Sequence, residues 1–223
     1  MKIGNAVYRD ARDLPDIIPI FPLSGALLLP GGRLPLNIFE PRYLQMTDEA
    51  LSKGRHIGMI QPALDGSRRD DGEPNLCAVG CMGRLTSHAE TGDGRIIITL
   101  EGVTRFRVIE ELAVKTPYRQ ARVSHFAADL NQETEEATID RQGLLAAFHA
   151  YLDANDMQAD WDSVSKAGNV SLVNALSMMA PYGPAEKQAL LEAADLRTRA
   201  ETLIAITEMA LARDSDGPAT NLQ

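Results

Sequence analysis

The sequence predicts an α+β fold, in which a small, strongly bent β-barrel with one inserted helix precedes an α-helical bundle. Short apolar runs broken by Pro and Gly fill the first half of the chain, and apolar residues at helical spacing fill the second half. The charge changes at the same point. Residues 1–128 carry 16 Lys and Arg against 15 Asp and Glu, a net of +1, whereas residues 129–223 carry 6 against 16, a net of −10. Such a step indicates a boundary between two subdomains.

The strands of the first half are predicted from short apolar runs that end at turn-forming residues. The first three runs are separated by Pro22, Pro30 and the Gly31–Gly32 pair, which favour tight turns. Later runs show the two-residue alternation of a half-buried sheet. The predicted strands are Ile17–Phe21, Ala26–Leu29, Leu34–Ile38, His56–Ile60, Val79–Thr86, Arg95–Leu100, Val103–Ile109 and Tyr118–Phe126.

One helix is predicted inside this series of strands. Pro41 suits the first turn of a helix and Gly54 suits its end, so the apolar spacing between them predicts a helix over Pro41–Ser52. The polar segment Ala63–Leu76 is rich in Gly, Pro and Asp and is predicted to be a loop. The sequence TGDG at Thr91–Gly94 predicts a hairpin turn.

The second half is predicted to be helical throughout. Its helices are expected from about residue 133 to residue 154 and over Asn169–Met179, Pro184–Ala194 and Leu196–Arg213, with Asp195 as an N-cap candidate. Short connections between such helices favour an antiparallel bundle. The predicted organisation is an N-terminal extension (1–16), the barrel subdomain (17–128), the helical bundle (129–214) and a flexible tail (215–223).

Composition excludes several classes of protein. Hydrophobic residues make up 44% and charged residues 24% of the chain, as in ordinary globular domains. Cys77 and Cys81 are too few for a disulfide framework and are expected to pack as small apolar residues, which fits a cytoplasmic location. The N-terminal residues lack the apolar core of a signal peptide, and no apolar stretch is long enough to suggest a membrane span.

Several segments resemble the Lon N-terminal, or substrate-binding, domain family. They are IFPL at Ile20–Leu23, LPGG at Leu29–Gly32, IFEPRY at Ile38–Tyr43, VGCMGR at Val79–Arg84, GVTRFR at Gly102–Arg107 and KQALLE at Lys187–Glu192. The resemblance extends over residues 17–212. It implies a fold similar to the PUA-like pseudobarrel followed by a helical bundle, and a role in holding protein substrates. We therefore expect a stand-alone, bacterial-type member of that family without ATPase or protease domains.

The residues that carry this resemblance are predicted to be structural. Glu40, Arg42, Arg105 and Arg107 are expected to form an ion-pair network, in which Glu40 and Arg105 tie the inserted helix to the barrel as a partly buried pair. Phe39, Tyr43 and Phe106 are expected in the core. The full structural motif is Pro30, Gly31, Gly32, Phe39, Glu40, Pro41, Arg42, Tyr43, Gly102, Arg105 and Phe106.

The sequence shows no set of residues that would support catalysis. It lacks the G-x-x-x-x-G-K-[ST] pattern that cradles ATP phosphates and the H-E-x-x-H and G-x-S-x-G patterns of hydrolases. The four histidines are scattered, and Cys77, Cys81 and His88 have poor spacing for a tetrahedral metal site. We expect a non-enzymatic protein with no catalytic residue, no cofactor and no metal.

The leading functional hypothesis is a protein- or peptide-binding module. It would bind unfolded or exposed apolar segments of client proteins, or act as an adaptor in proteolysis, with a protease or chaperone system as a further partner. Leu34, Leu36 and Ile38 on a sheet edge are the candidate client-binding residues. The groove between the subdomains is a second candidate surface. The oligomeric state stays open.

Two alternatives are weaker. One is an RNA-binding module of PUA-like type. The overall acidity and the scarcity of aromatics for base stacking argue against it. Its arginines would be Arg33, Arg42, Arg55, Arg68, Arg69, Arg84 and Arg95. The other is an enzyme of unknown chemistry with a site in the cleft between the subdomains.

Overall fold

The computed structural model describes residues 1–134 and 139–215 of the chain. These residues form two compact units. The first comprises residues 1–134 together with Asn174–Glu192, and the second comprises residues 139–173 and 193–215. The sequence predicted a single boundary near residue 129 instead, with every later helix in one bundle.

The elements follow one another along the chain as strands first and helices afterwards. The strands are β1 (Lys2–Ile3), β2 (Ala6–Val7), β3 (Ile17–Pro22), β4 (Arg33–Ile38), β5 (His56–Pro62), β6 (Leu76–Glu90), β7 (Ile96–Glu111) and β8 (Arg119–His125). The α-helices are α1 (Pro41–Ser52), α2 (Arg141–Ala154), α3 (Trp161–Lys166), α4 (Asn169–Met179), α5 (Pro184–Glu192) and α6 (Leu196–Ser215). Two 3-10 helices span Ala11–Asp13 and Ala127–Thr134.

The sheet of the first unit closes on itself. Its strand order is β4-β7-β6-β5-β3-β8, and β8 also pairs with β7, so that β7, β6, β5, β3 and β8 form a ring. β3 and β5 are parallel, and the other pairs in this sheet are antiparallel. The long strand β7 makes closure possible, because it pairs with β4 near its start and with β8 near its end. The bent barrel with one inserted helix is confirmed.

The barrel interior is filled mainly by aliphatic side chains from alternate strand positions. Ile18, Ile20, Met82, Val103 and Phe106 all lie in one buried cluster. The N-terminal residues contribute to the same cluster through three further side chains, Ile3, Tyr8 and Leu14. Residues 1–16, predicted as an extension, are therefore part of the barrel core.

Two strand predictions are wrong in an informative way. Ala26–Leu29 forms no strand, although its three leucines are buried. Its apolar run fills the core as an irregular segment, and backbone pairing resumes only where Gly31 donates to the Gly102 carbonyl at 2.8 Å. The two strands predicted on either side of Gly102 are one continuous strand, β7, whose register shifts opposite Gly83.

Helix α5 belongs to the barrel unit because it supplies both apolar and polar contacts there. Leu190 and Leu191 are buried. Buried Gln188 donates to the Val79 carbonyl of β6 at 3.1 Å and accepts from Gln61 of β5 at 3.1 Å. These bonds satisfy polar groups that would otherwise be costly to bury. This is the physical reason for the difference from the predicted boundary.

The second unit is helical. α2 and α6 pack together, and buried Leu144, Phe148 and Leu203 lie on them. Asp140 caps α2 by accepting from the Gly143 N–H at 2.8 Å, so the helix predicted to begin near residue 133 begins at residue 141. The predicted flexible tail, 215–223, lies almost entirely outside the described residues. In the described part of the chain, no helix is both long and apolar enough to cross a membrane.

Candidate functional site

The edge strand β4 presents two different surfaces. It stands at the end of the sheet order and, within the described part of the chain, pairs only with β7. On its inward side Leu34 and Leu36 are half-buried, and Ile38 is 1% exposed. Ile38 therefore offers a client no side-chain surface, whereas Leu34 and Leu36 stay candidates.

The outward side of β4 continues into an exposed apolar face. Phe39 follows Ile38 directly and is 62% exposed, which contradicts the predicted core position. Alternation explains the difference, because Ile38 takes the inward position. Ile97 lies opposite Asn37 on β7 and is 47% exposed, and Ala89 of β6 lies opposite Ile97. We call Pro35, Phe39, Ala89 and Ile97 the apolar face.

The backbone edge of β4 is less suited to binding than its side chains. Pro35 lacks an N–H, and proline is tolerated in a strand where its nitrogen points away from the neighbouring strand. An added strand would therefore find a donor missing in the middle of β4. Proline on an edge strand is also a common device against unwanted strand pairing. Binding by side chains across the apolar face is the better use of this surface.

The segment after Phe39 forms the first turn of α1. Pro41 occupies the first helical position, as predicted, and Glu40 is the N-cap residue but makes no side-chain capping bond. Glu40 instead accepts from the Arg42 Nε at 2.9 Å. The Arg42 guanidinium lies over the Tyr43 ring, 4.7 Å from its centre, and that ring packs against Phe21 at 4.2 Å.

The predicted ion-pair network is only partly correct. The Glu40–Arg42 pair forms, but the expected pair of Glu40 with Arg105 is wrong. Arg105 is buried and binds Asp129, with Nη2 to Oδ1 at 2.9 Å. Arg107 is exposed, and its guanidinium lies 6.0 Å from the centre of the Phe126 ring.

Other residues of the motif are buried, or lie where glycine is favoured. Tyr43 and Phe106 are buried. Gly31 adopts φ = 76°, a conformation that favours glycine. A Cβ at Gly32 would lie 2.3 Å from the Met178 sulfur, and one at Gly102 would lie 2.1 Å from the Leu29 carbonyl oxygen. Gly102 needs the close approach that glycine permits, because the overlap is with backbone, whereas at Gly32 the flexible end of Met178 could shift.

A cavity of about 250 Å³ opens beside the first turn of α1. Arg42 and Tyr43, the polar loop after β5 and the connection between β7 and β8 line it. Glu111 accepts from Arg69 at 2.8 Å and from Arg119 at 2.6 Å. Arg42 contacts Glu73 at the longer distance of 3.4 Å. The charged side of the cavity is thus a chain of alternating guanidinium and carboxylate groups.

The cysteines and histidines form no reactive cluster. Cys81 is buried and Cys77 is half-buried. His56 bonds the Tyr8 hydroxyl at 2.8 Å, and His125 bonds the Pro15 carbonyl at 2.9 Å, so both rings anchor the N-terminal residues to the barrel. Across residues 1–134 and 139–215, no three His, Cys, Asp or Glu side chains are grouped so as to hold a metal ion.

Comparison with known families identifies the chain's relatives. Residues 17–208 match the family described as the ATP-dependent protease La (LON) substrate-binding domain. The chain belongs to this Lon substrate-binding domain family. The match spans the barrel and most of the helical segments, in agreement with the sequence resemblance.

Curated relatives of this Lon domain are much longer proteins. Lon protease 2 of Myxococcus xanthus is 26% identical over 198 residues, which are 86% of this chain and 24% of that protein. The Lon protease of Anaeromyxobacter dehalogenans is 28% identical over 121 residues, or 54% of this chain and 14% of that protein. The chain spans about a quarter or less of the length of these relatives.

Solved structures share the fold of this Lon domain. The Lon N-terminal domain protein from Xanthomonas campestris superposes with a TM-score of 0.59 at 24% identity, covering 85% of this chain and 97% of that one. The N-terminal domain of Mycobacterium avium complex Lon protease gives a TM-score of 0.59 at 15% identity, covering 86% and 98%. At these identities the similarity shows the fold alone.

Sequence reasoning missed parts of this Lon domain's surface that only tertiary structure assembles. Ile97 lies between Ile96 and Ile98 in the sequence. Strand alternation could have indicated that its side chain points outward while those of its two neighbours point inward. The cavity had no comparable signal, because Arg42, Arg69 and Arg119 are far apart in the chain.

Proposed function

We propose that this chain is a non-catalytic module that binds unfolded or exposed apolar segments of client proteins during proteolysis. Membership in a substrate-binding family supports substrate recognition as its general role. The matched relatives carry the name Lon protease, which favours a proteolytic context. Whether the chain acts directly or as an adaptor to a protease depends on which partner it meets.

The observation that carries the proposal is the apolar face. Phe39 is an aromatic side chain left 62% exposed, and Ile97 on the neighbouring strand is 47% exposed. Exposed apolar side chains grouped on neighbouring strands are typical of protein-binding surfaces. The polar Asn37 lies opposite Ile97 and two residues before Phe39. Aromatic anchors of this kind supply much of the binding energy in protein complexes.

RNA binding is less well supported, because neighbouring groups engage the predicted arginines. Arg69 pairs with Asp71 and Glu111 at 2.9 and 2.8 Å. Arg33 pairs with Glu101 at 3.5 Å, and Arg95 pairs with Asp93 at 3.3 Å. A phosphate track needs cations free to replace counterions along a nucleic acid, and these three arginines are already paired with carboxylates.

The proposal is tested with reduced, carboxymethylated lactalbumin, a permanently unfolded protein, titrated against the chain and followed by fluorescence anisotropy. The double variant Phe39→Ser with Ile97→Ser should bind it about tenfold or more weakly, since it lacks two apolar side chains that binding would bury. Ile109→Ser is the matched control, because Ile109 is on the same strand and 59% exposed. Its affinity should equal that of the unchanged protein.

Two results would contradict the proposal. One is equal weakening by the double variant and by Ile109→Ser, which would mean that the apolar face has no special role. The other is equal binding of natively folded lactalbumin, which would mean that exposed apolar segments are not what the chain recognises.

A further inference from the structure

The cavity beside α1 contains a donor without an acceptor. Tyr43 lines it and is 6% exposed. Within residues 1–134 and 139–215, no hydrogen bond involves its hydroxyl, although its ring packs on Phe21 and under Arg42. The hydroxyl can therefore donate to a group that enters the cavity. Burial raises the pKa of Tyr43, so the phenol is protonated and can donate.

The cavity lining carries three arginines and three carboxylates, and the cation beside this hydroxyl is Arg42. The Arg42 guanidinium is adjacent and half-exposed. Its Nε donates to Glu40 at 2.9 Å, whereas its Nη1 makes only the longer contact with Glu73, at 3.4 Å. A guanidinium and a phenol together suit a carboxylate, which can accept from both.

The carboxylates already in the cavity are not equivalent competitors. Glu111 is held by Arg69 and Arg119, and Asp71 by Arg69. Glu73 makes the weakest of these contacts, at 3.4 Å to Arg42, and it lies on a surface loop. Glu73 therefore occupies the place that an incoming carboxylate would take.

The opposite wall of the cavity is apolar. Ile20 and Pro22 of β3 and Leu112, Val114 and Pro117 of the β7–β8 connection line it. A volume of about 250 Å³ holds one large side chain with its carboxylate, but no long segment. The cavity is thus small, polar on one side and apolar on the other.

We propose that this cavity binds a peptide carboxylate attached to an apolar residue, with Arg42 and Tyr43 as its donors and Glu73 as a built-in competitor. A C-terminal apolar residue joins both features in one group, and an acidic side chain is the second source of the same chemistry. The inference deepens the proposed function by naming a group that a client presents. It is measured with short probes, so its failure is separate from a failure at the apolar face.

The probes are acetyl-Gly-Gly-Leu with a free carboxylate, its C-terminal amide, and acetyl-Gly-Glu-Gly amide, titrated by calorimetry into the full chain. The free acid should bind at least tenfold more tightly than its amide, since charge-assisted bonds are the strong ones. Arg42→Gln should weaken binding about tenfold. Tyr43→Phe, which keeps the ring packing, should weaken it roughly fivefold, the value of one neutral hydrogen bond.

Glu73→Gln should bind the free acid of acetyl-Gly-Gly-Leu more tightly, a gain in affinity that misfolding could not produce. Lys115→Gln is the matched control, because Lys115 is an exposed cation on the β7–β8 connection outside the cavity lining, and its affinity should not change. If the glutamate probe binds as well as the leucine acid, acidic side chains are the source of the carboxylate. Equal binding of acid and amide, no binding at millimolar concentration, or no effect of both Arg42→Gln and Glu73→Gln would overturn the proposal.

Discussion

Arg105 and Asp129 form a buried, bidentate ion pair inside the barrel unit. The Arg105 Nε and Nη2 donate to the Asp129 oxygens at 3.0 and 2.9 Å, and the Arg105 backbone N–H donates to the same carboxylate at 2.8 Å. The remaining Nη1 donates to the Leu191 carbonyl at 3.1 Å. One side chain thus joins β7, the 3-10 helix Ala127–Thr134 and the C-terminal end of α5.

Removing either partner of this pair should be costly. Arg105→Met leaves a buried carboxylate, and Asp129→Asn leaves a buried guanidinium, so each should lower the free energy of unfolding by roughly 3–5 kcal/mol. The double variant should lose less than the sum of the two losses, because no isolated charge remains. Urea unfolding of the four proteins measures this cycle.

Arg107→Met is the matched control for that cycle. Arg107 is two residues along the same strand but exposed, so the change should stay within about 0.5 kcal/mol. Strict additivity of the Arg105 and Asp129 changes would mean that the pair contributes nothing beyond its two separate environments.

The sequence predicted the barrel better than it predicted the contacts within it. The helix Pro41–Ser52 and most strands follow from local periodicity, which short-range backbone preferences determine. The partner of Arg105 could not be found in that way. Asp129 is 24 residues further along the chain. The charge step suggested a subdomain boundary at this position, so Asp129 was predicted to belong to the helical bundle, whereas it lies in the barrel unit.

In the candidate site, too, local features could be predicted from the sequence and long-range contacts could not. The apolar run after Gly31–Gly32 predicted a strand over Leu34–Ile38, and β4 covers it, because such patterns are local. Phe39 was predicted in the core because aromatic residues are usually buried, but strand alternation puts its side chain on the side opposite to that of buried Ile38. The cavity depends on two loops, on α1 and on β3, which meet only after the barrel closes, so no pattern in the sequence indicates it.

Gly102 should tolerate no side chain. A Cβ there would lie 2.1 Å from the Leu29 carbonyl oxygen, and the backbone on both sides is fixed by bonds to Gly31 and Gly32 at 2.8 and 2.9 Å. Gly102→Ala should therefore destabilise the protein by about 2 kcal/mol or more, as overpacking against rigid backbone does. Thermal unfolding measures the effect.

Gly168→Ala serves as the comparison for that change. A Cβ at Gly168 meets nothing within 4 Å, and its carbonyl accepts from the Leu172 N–H as the N-cap of α4, so this variant should cost no more than about 1 kcal/mol, from the poorer N-cap. Equal midpoints for Gly102→Ala and the unchanged protein would show that the Leu29–Gly32 segment can move away.

His56 should make the protein sensitive to acid. Burial, with smaller effects of Arg84 and His125, lowers the pKa of His56 to about 4. Since the folded pKa is below the unfolded value, its contribution to stability is fully present above the unfolded pKa, near 6.5, and decreases as the pH falls toward 4. Between pH 7 and pH 5 the free energy of unfolding should fall by about 2 kcal/mol from this group.

The test is urea unfolding across that pH range. His56→Gln cannot gain a proton and should remove most of the fall. A remainder is expected from His125, because burial also lowers its pKa. The exposed His88 provides the control, and His88→Gln should leave the pH dependence unchanged. An unchanged slope in His56→Gln would assign the acid sensitivity to other groups.

The barrel should not be stable without residues 174–192. A fragment of residues 1–135 keeps every strand of the closed ring, yet it loses buried Leu190 and Leu191, the Gln188 bond to Val79 and the Leu191 carbonyl that accepts from Arg105. Exposing that apolar surface and leaving those polar groups without partners should lower the free energy of unfolding by several kcal/mol. This is a large part of the total free energy of unfolding of a small domain. Thermal unfolding should therefore show a low or absent cooperative transition, and adding a synthetic peptide of residues 174–192 should restore it in proportion to peptide concentration. A fragment that unfolds with the midpoint of the full chain would mean that the strands alone specify the barrel and that α5 only covers it.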